Sequence, residues 1–227
     1  MEQFIKISLI IHVIAGTGAL IFGALSIYFK KNTPKHRPMG KYYFYSMTVI
    51  FITGVYLSII RYNLFLFFIS FFTYYACIVA YRAIKLKNNS PKTIDKLVDI
   101  IAFLTNLSLI VFAVYTLIKL QKIDALVPLA FGSLGMLGVK ANYKKYHTLY
   151  NKKDNQWLQT HVGNMMGSYI GAITAFTVNQ AWKLEVPNIV AWLGPTIILT
   201  PIIIMELRKL KNINLGSLQN KTSSLAN

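Results

Sequence analysis

Residues 126–139 read LVPLAFGSLGMLGV, and whether this stretch crosses a bilayer decides the topology of the whole chain. It is short for a span, because a hydrocarbon core takes about 20 mostly apolar residues in a helix, and it carries Gly132, Gly135 and Gly138. Lys140 and Lys144 follow it, and long cationic side chains reach out to water while their stems extend the apolar segment. Six other stretches are apolar enough to compare with it: 5–29, 42–60, 64–84, 97–120, 157–180 and 189–205. If 126–139 spans, the chain crosses seven times; if it does not, every later segment inverts.

The basic residues choose between these outcomes, since cytoplasmic loops retain Lys and Arg. With seven spans, nineteen of the 24 Lys and Arg residues fall on one side, in segments 30–41, 82–96, 140–153 and 208–221. Only Lys6, Arg61, Lys119, Lys122 and Lys183 fall on the other. The split exists only if 126–139 spans. The expectation is an all-α, polytopic, integral membrane helical bundle with seven transmembrane helices. Its N-terminus is outside, its C-terminus cytoplasmic, and its location the cell membrane. Residues 1–211 form a single transmembrane bundle, and 212–227, rich in Asn, Ser and Gly with few apolar residues, read as a disordered cytoplasmic tail. The first span is no signal peptide, because positive charge follows it at Lys30 and Lys31 and its apolar run is too long.

Composition agrees: 55% of the 227 residues are hydrophobic and 14% charged, with a mean hydropathy of +0.47, which points to lipid as the solvent. A net charge of +17 on a soluble protein would suggest nucleic acid. Here the cations sit between apolar runs, so the expected partners are membrane lipids, the anionic headgroups of the cytoplasmic face, and not nucleic acid. The lone Cys77 excludes an intramolecular disulfide and reads as a small core residue.

Four histidines can be given depths. His12 lies about 10 Å into the outer half of the first span and His161 about 6 Å into the inner half of the sixth, at 1.5 Å of rise per residue. His36 stands at the cytoplasmic entrance of the second span and His147 in the loop after the fifth. Three of the four therefore gather toward the cytoplasmic leaflet. A histidine within lipid faces the bundle, because an unpaired polar group there costs a few kcal/mol, and it is a functional candidate for that reason. For His12 the competing reading is a hydrogen bond between helices.

The sixth stretch, with THVGNMMGSYIGAITAF at 160–176, is the most informative helix. His161, Asn164 and Ser168 share one face, while Gly163, Gly167 and Gly171 repeat the small-residue spacing that lets helices approach closely. His12, Gly16, Ala19 and Gly23 form a stripe on the first span that is expected to press against a neighbour. Asp99 and Asn106 are the notable polar residues of the fourth span, and Asp99, close to its cytoplasmic end, reads as a capping or interfacial acid ahead of a proton carrier. Pro195 and Pro201 in WLGPTIILTPII (192–203) are expected to kink the seventh span and free backbone carbonyls.

Four segments carry a resemblance: IHVIAG around His12, HRPMGKYYFYSM from His36, HVGNMMGSYIGAITAF from His161 and WLGPTIILTP near the end. Together they resemble a bacterial "predicted membrane protein" family, a domain of unknown function with about the same number of spans. The resemblance implies that His12, His36, Arg37, Gly40, His161, Ser168 and Tyr169 are the positions to examine. It supplies no activity, and His147 lies outside its motifs.

Four functions remain open. A haem b or metal site in the cytoplasmic leaflet, held by His36 and His161 with Asn164 and Ser168 beside it, would serve electron transfer; neutral imidazole is the usual ligand. A zinc hydrolase would add His147 to His36 and His161, with Asp99 or a bound water assisting. A small-molecule transporter or binder would use the polar face of the sixth span and the broken seventh. A structural bundle would need no ligand chemistry.

Overall fold

The computed structural model describes residues 2–29, 33–87, 90–144, 156–183 and 185–223. Seven long helices follow one another: α1 (Glu2–Tyr28), α2 (His36–Ile60), α3 (Leu64–Leu86), α4 (Thr93–Leu120), α5 (Leu126–Tyr143), α6 (Gln156–Gln180) and α7 (Asn188–Ser223). No strand occurs among the described residues. His147 lies outside them, so its place in a histidine cluster is not described.

The helix ends follow local chemistry. Between α2 and α3 the chain reverses in three residues, with Tyr62 at φ 52°, and Asn63 starts α3 by accepting the Leu66 N–H on its side-chain oxygen at 3.0 Å. The start of α4 is held by Asp95, whose carboxylate accepts the Lys92 N–H at 2.8 Å, satisfying a donor that a helix N-terminus otherwise leaves open. The capping acid of this helix is therefore Asp95, and Asp99, expected in that role, lies a turn deeper and is 6% exposed. α7 continues as helix through Pro195 and Pro201.

Successive helices run antiparallel. His12 meets Thr53 and Ser26 meets His36 at opposite ends of the α1–α2 pair. α3 and α6 form the centre: α1 and α2 flank them on one side, α4 and α5 on the other, and α7 covers α6 and touches α5. Three apolar clusters fill the gaps. Ala19, Tyr43, Met47 and Cys77 pack where α1, α2 and α3 meet α6. Tyr75, Val79, Ala83 and Leu86 of α3 pack on Ala102 and Val139. Leu109, Val127 and Phe131 pack against α3 phenylalanines and Trp192 of α7. Stacked rings, Phe44 on Tyr81 at 4.2 Å and Phe51 on Tyr74 at 4.4 Å, join α2 to α3.

The outer surface is apolar. Ile14 of α1, Ile118 of α4 and Ile198 of α7 are 66%, 66% and 70% exposed, among many other large aliphatic side chains. Water would penalise so much contiguous apolar surface, whereas lipid does not. Among the described residues six helices are long and apolar enough to cross a bilayer, including the continuous stretch Ile123–Tyr143. A short 3-10 turn, Ile123–Ala125, precedes α5 and supplies the length that 126–139 lacked. The protein is thus a multi-pass helical membrane protein.

The helix outside this set is α6, which carries the polar stripe His161, Asn164 and Ser168. The packing explains it. Only Ala175, Phe176 and Asn179 of α6 are exposed, because α1, α3 and α7 shelter the rest. A helix that meets protein on most sides does not need an apolar circumference, and its polar groups find partners on neighbours.

Close approach uses glycine where it is required. A Cβ built on Gly135 would fall on the Asn106 side chain, and one on Gly132 would meet Ile110 at 2.8 Å. Two of the three α5 glycines are therefore the seam with α4, and Gly138 faces open space. Gly23 of α1 lies against the Tyr169 ring, while Gly16 touches nothing. The expected glycine stripe of α6 divides: Gly171 meets Thr73 of α3, Gly163 meets Leu207 of α7, and Gly167 faces open space.

Candidate functional site

Five polar residues of the interior form one chain across four helices. Asp99 of α4 accepts the Tyr75 hydroxyl of α3 at 2.9 Å. Asn142, near the end of α5, donates its amide to the Tyr75 oxygen at 3.2 Å. Asn142 also faces Asn164 of α6 in a reciprocal amide pair, with bonds of 3.5 and 3.4 Å. Asn164 donates to the Thr160 carbonyl at 3.0 Å, which fixes its amide on its own helix. Thr160, 1% exposed, buries a hydroxyl with no hydrogen-bond partner at this end of the chain.

These strengths are unequal, and the inequality matters. A phenol donating to a carboxylate is charge-assisted and about twice as strong as a neutral bond. The amide pair sits at the long limit of hydrogen bonding, where the interaction is weak. The chain is therefore anchored at Asp99 and loosest at Asn142–Asn164.

Beside the anchor lies an ion pair. Arg82 of α3 grips Asp95 through both carboxylate oxygens, Nε to one and Nη2 to the other at 2.9 Å. Arg82, Asp95 and Asp99 share the lining of a cavity of about 10 Å³, otherwise aliphatic.

The stripe expected to act as one surface of α6 meets three helices. His161 Nδ1 lies 2.9 Å from the Ala80 carbonyl of α3, Asn164 turns to α5, and Ser168 meets the Tyr43 hydroxyl of α2 at 2.8 Å. Since α3 stands opposite the stripe, with α5 and α2 to either side of it, neighbouring positions reach past α3 in opposite directions. Ser168 donates to the Met165 carbonyl at 2.9 Å, so the Tyr43 hydroxyl is the donor in their bond. Tyr169 donates to the Leu20 carbonyl of α1 at 3.0 Å.

The other histidines also bind across helices. His12 Nδ1 is 2.8 Å from Thr53 Oγ1; the Thr53 proton goes to the Val49 carbonyl at 2.7 Å, so His12 donates. His36 begins α2 and sends Nδ1 to the Ser26 carbonyl of α1 at 2.9 Å. Carbonyls only accept, so His36 and His161 both carry their proton on Nδ1 in these bonds. His36, His161, Asn164 and Ser168, expected around one cofactor, thus each bind a different helix. Among the described residues no group of three His, Cys, Asp or Glu side chains could hold a metal ion.

Asn106 is 1% exposed and donates to the Ala102 carbonyl at 2.7 Å. Its oxygen lies without a hydrogen-bond partner against Gly135, where a Cα–H contact is the available compensation. It is a packing residue of the α4–α5 seam.

Sequence reasoning missed Tyr75, Asn142 and the Arg82–Asp95 pair. Tyr75, Val79 and Arg82 share a helical face, so a polar–apolar–cationic stripe opposite Asp95 and Asp99 was the available signal. Asn142 fell just past the expected end of its span and carried none. Comparison with known proteins finds no matching family model, curated protein or solved structure.

Proposed function

We propose that this chain crosses the membrane seven times, N-terminus outside and C-terminus cytoplasmic, and binds or carries a small polar solute at the polar face of α6. The observation that carries the reading is the Asn142–Asn164 pair at 3.4–3.5 Å, with Asn142 buried and Asn164 half-buried. A solute offering both a donor and an acceptor replaces two long amide bonds with shorter ones, so opening the pair costs little and binding recovers more. Polar groups within a bundle mark pathways for solutes and ions. With α6 as the sheltered helix, seven spans also keep the basic residues on the side where α2, α4 and α6 begin.

The solute is of matching chemistry: small, neutral or zwitterionic, with adjacent donor and acceptor. It enters from the cytoplasmic side, because Asn164 lies about 12 Å from the start of α6 at 1.5 Å per residue. Asn164→Cys will react with a membrane-impermeant thiol reagent applied to the cytoplasmic face, and more slowly when the site is filled. Native Cys77, 0% exposed, is the unreactive control. If Asn164→Cys is as inert as Cys77 from both faces, no aqueous path reaches the pair and the reading fails.

A second reading has its own support. His36 and His161 each direct Nδ1 at a backbone carbonyl, the outer bond that orients metal-ligating histidines through their other nitrogen. A haem b or metal held by this pair would serve electron transfer; a haem predicts a Soret band, and a bare metal predicts stoichiometric metal on analysis, either one lost in His161→Ala.

A further inference from the structure

The outer surface is indented between α3 and α4. Leu64 and Phe68 of α3 and Leu107, Val111, Phe112 and Tyr115 of α4 line a groove of about 440 Å³, a volume within the range of small-molecule sites. It opens toward lipid, since Leu64, Val111 and Tyr115 are 58%, 60% and 57% exposed on helices apolar enough to span. Any such groove takes up hydrocarbon in a bilayer, so the informative features are the polar groups at its mouth.

Seven spans leave five Lys and Arg residues at the end of the bundle where α2 closes and α3 opens, and three of them frame this groove. Arg61 precedes Leu64 by three residues, and Lys122 stands just past the end of α4. Lys119 follows Tyr115 by four residues, one helical turn further along the same face. All three are exposed, and among the described residues no carboxylate pairs with any of them, the neighbouring Asp124 included. The Tyr115 hydroxyl lies about 6 Å below Lys119 by helical rise, and it too has no hydrogen-bond partner among the described residues. From Tyr115 to Leu107 the α4 side of the groove runs about 12 Å deeper, aliphatic and aromatic apart from Ser108.

We propose that this groove is a binding site for an anionic glycerophospholipid. The phosphate sits among Arg61, Lys119 and Lys122, an ester carbonyl accepts the Tyr115 hydroxyl, and one acyl chain runs past Phe112 and Val111 toward Leu107. Cation, hydroxyl and hydrocarbon follow one another along α4 in the order of phosphate, ester and chain in the lipid. A tyrosine at that depth suits the membrane interface, and cations beside it favour an anionic headgroup. A second copy of the chain docked symmetrically through this face would bring the same three cations together, an unfavourable pairing. The site stands apart from the polar face of α6 and does not depend on the solute reading.

Val111→Trp, at an exposed position inside the groove, places a fluorescent reporter where only a bound chain reaches it. The full-length variant is reconstituted in phosphatidylcholine vesicles, into which brominated phosphatidylglycerol or brominated phosphatidylcholine is titrated. Quenching by the native tryptophans of the parent chain is subtracted. The glycerol lipid is expected to bind at least about fivefold more tightly than the choline lipid, the effect of one basic residue near the surface. Arg61→Gln combined with Lys119→Gln brings the two lipids close to equal. Tyr115→Phe weakens both alike, because the ester is common to them. Lys35→Gln, at the opposite end of α2, leaves the preference unchanged. If Val111→Trp fails to fold, Leu107→Trp on the next turn of the same face takes its place. Equal quenching by the two lipids means a chain enters without headgroup selection and overturns the proposal. A preference untouched by the double variant, or lost in Lys35→Gln, overturns it as well. So does a reporter that neither lipid quenches, the result if another copy of the chain covers the groove.

Discussion

Arg82→Ala will lose on the order of 3 kcal/mol of folding stability, because it removes the two-toothed guanidinium from the buried carboxylate of Asp95. Asp95 is 7% exposed on its side chain and takes both of its charge-assisted bonds to α3 from Arg82. The same carboxylate holds the first turn of α4 through the Lys92 N–H, so the loss spreads from an ion pair to a helix start. Reversible unfolding in bicelles measures it, and two further variants separate charge from packing. Arg82→Lys keeps a cation but not the two-toothed grip, and recovers only part of the loss. Arg82→Ala combined with Asp95→Asn removes both charges and recovers more, because the buried carboxylate is removed together with the guanidinium that gripped it. A loss in Arg82→Ala within about 0.5 kcal/mol of zero, the range of ordinary surface changes, contradicts the account.

Gly135→Ala will lose about 2 kcal/mol, within the range for overpacking a close-fitting interior. The added methyl lands on the Asn106 side chain, which is held in place by its bond to Ala102 and is nearly fully buried. Relief has to come from separating α5 from α4 or from breaking that bond. Asn106→Ala makes room, so the double variant Asn106→Ala, Gly135→Ala is more stable than the sum of the single losses by at least about 1 kcal/mol. Gly138→Ala, which meets nothing within 4 Å, is the control and is near neutral. Additive losses in the double variant would mean that α4 and α5 do not meet at these residues.

The class of fold was legible because lipid imposes it: apolar runs of spanning length and a biased distribution of Lys and Arg are written locally in the chain. Helix starts were less so. α2 begins at His36 and α4 at Thr93, a turn or more before the apolar runs at 42 and 97, because helix outlasts hydrophobicity where it emerges toward water. The relative hydropathy of the spans misled in one respect. The stretch with three glycines looked the weakest, yet the turn before it extends it, and Gly132 and Gly135 are contact residues against α4. α6, apolar enough by eye, falls outside the set of helices apolar enough to span, and its polar positions are sheltered by neighbours distant in sequence.

The candidate residues were legible one at a time and their partners were not. His12 was read as either a functional group or a tie between helices, and it ties α1 to α2 through Thr53. Asp99 was read as an interfacial acid; Asp95, one turn earlier, holds the helix start instead, and Asp99 turns inward to Tyr75. Asn164 and Ser168 belong to one stripe by periodicity, yet they bind α5 and α2, since the gap each side chain enters depends on how three other helices sit around α6. Helical spacing predicts a shared face and carries no information about which neighbour covers it.

Whether α6 crosses the bilayer is the point on which topology, the polar chain and its cytoplasmic access all depend. Lys144→Cys and Lys183→Cys flank this helix on exposed positions and can be labelled from either face of sealed vesicles with an impermeant thiol reagent. Seven spans require Lys144→Cys to react only from the cytoplasmic side and Lys183→Cys only from the outside. Labelling of both from the same side would leave α6 lying within one leaflet or at its surface, and would contradict the account.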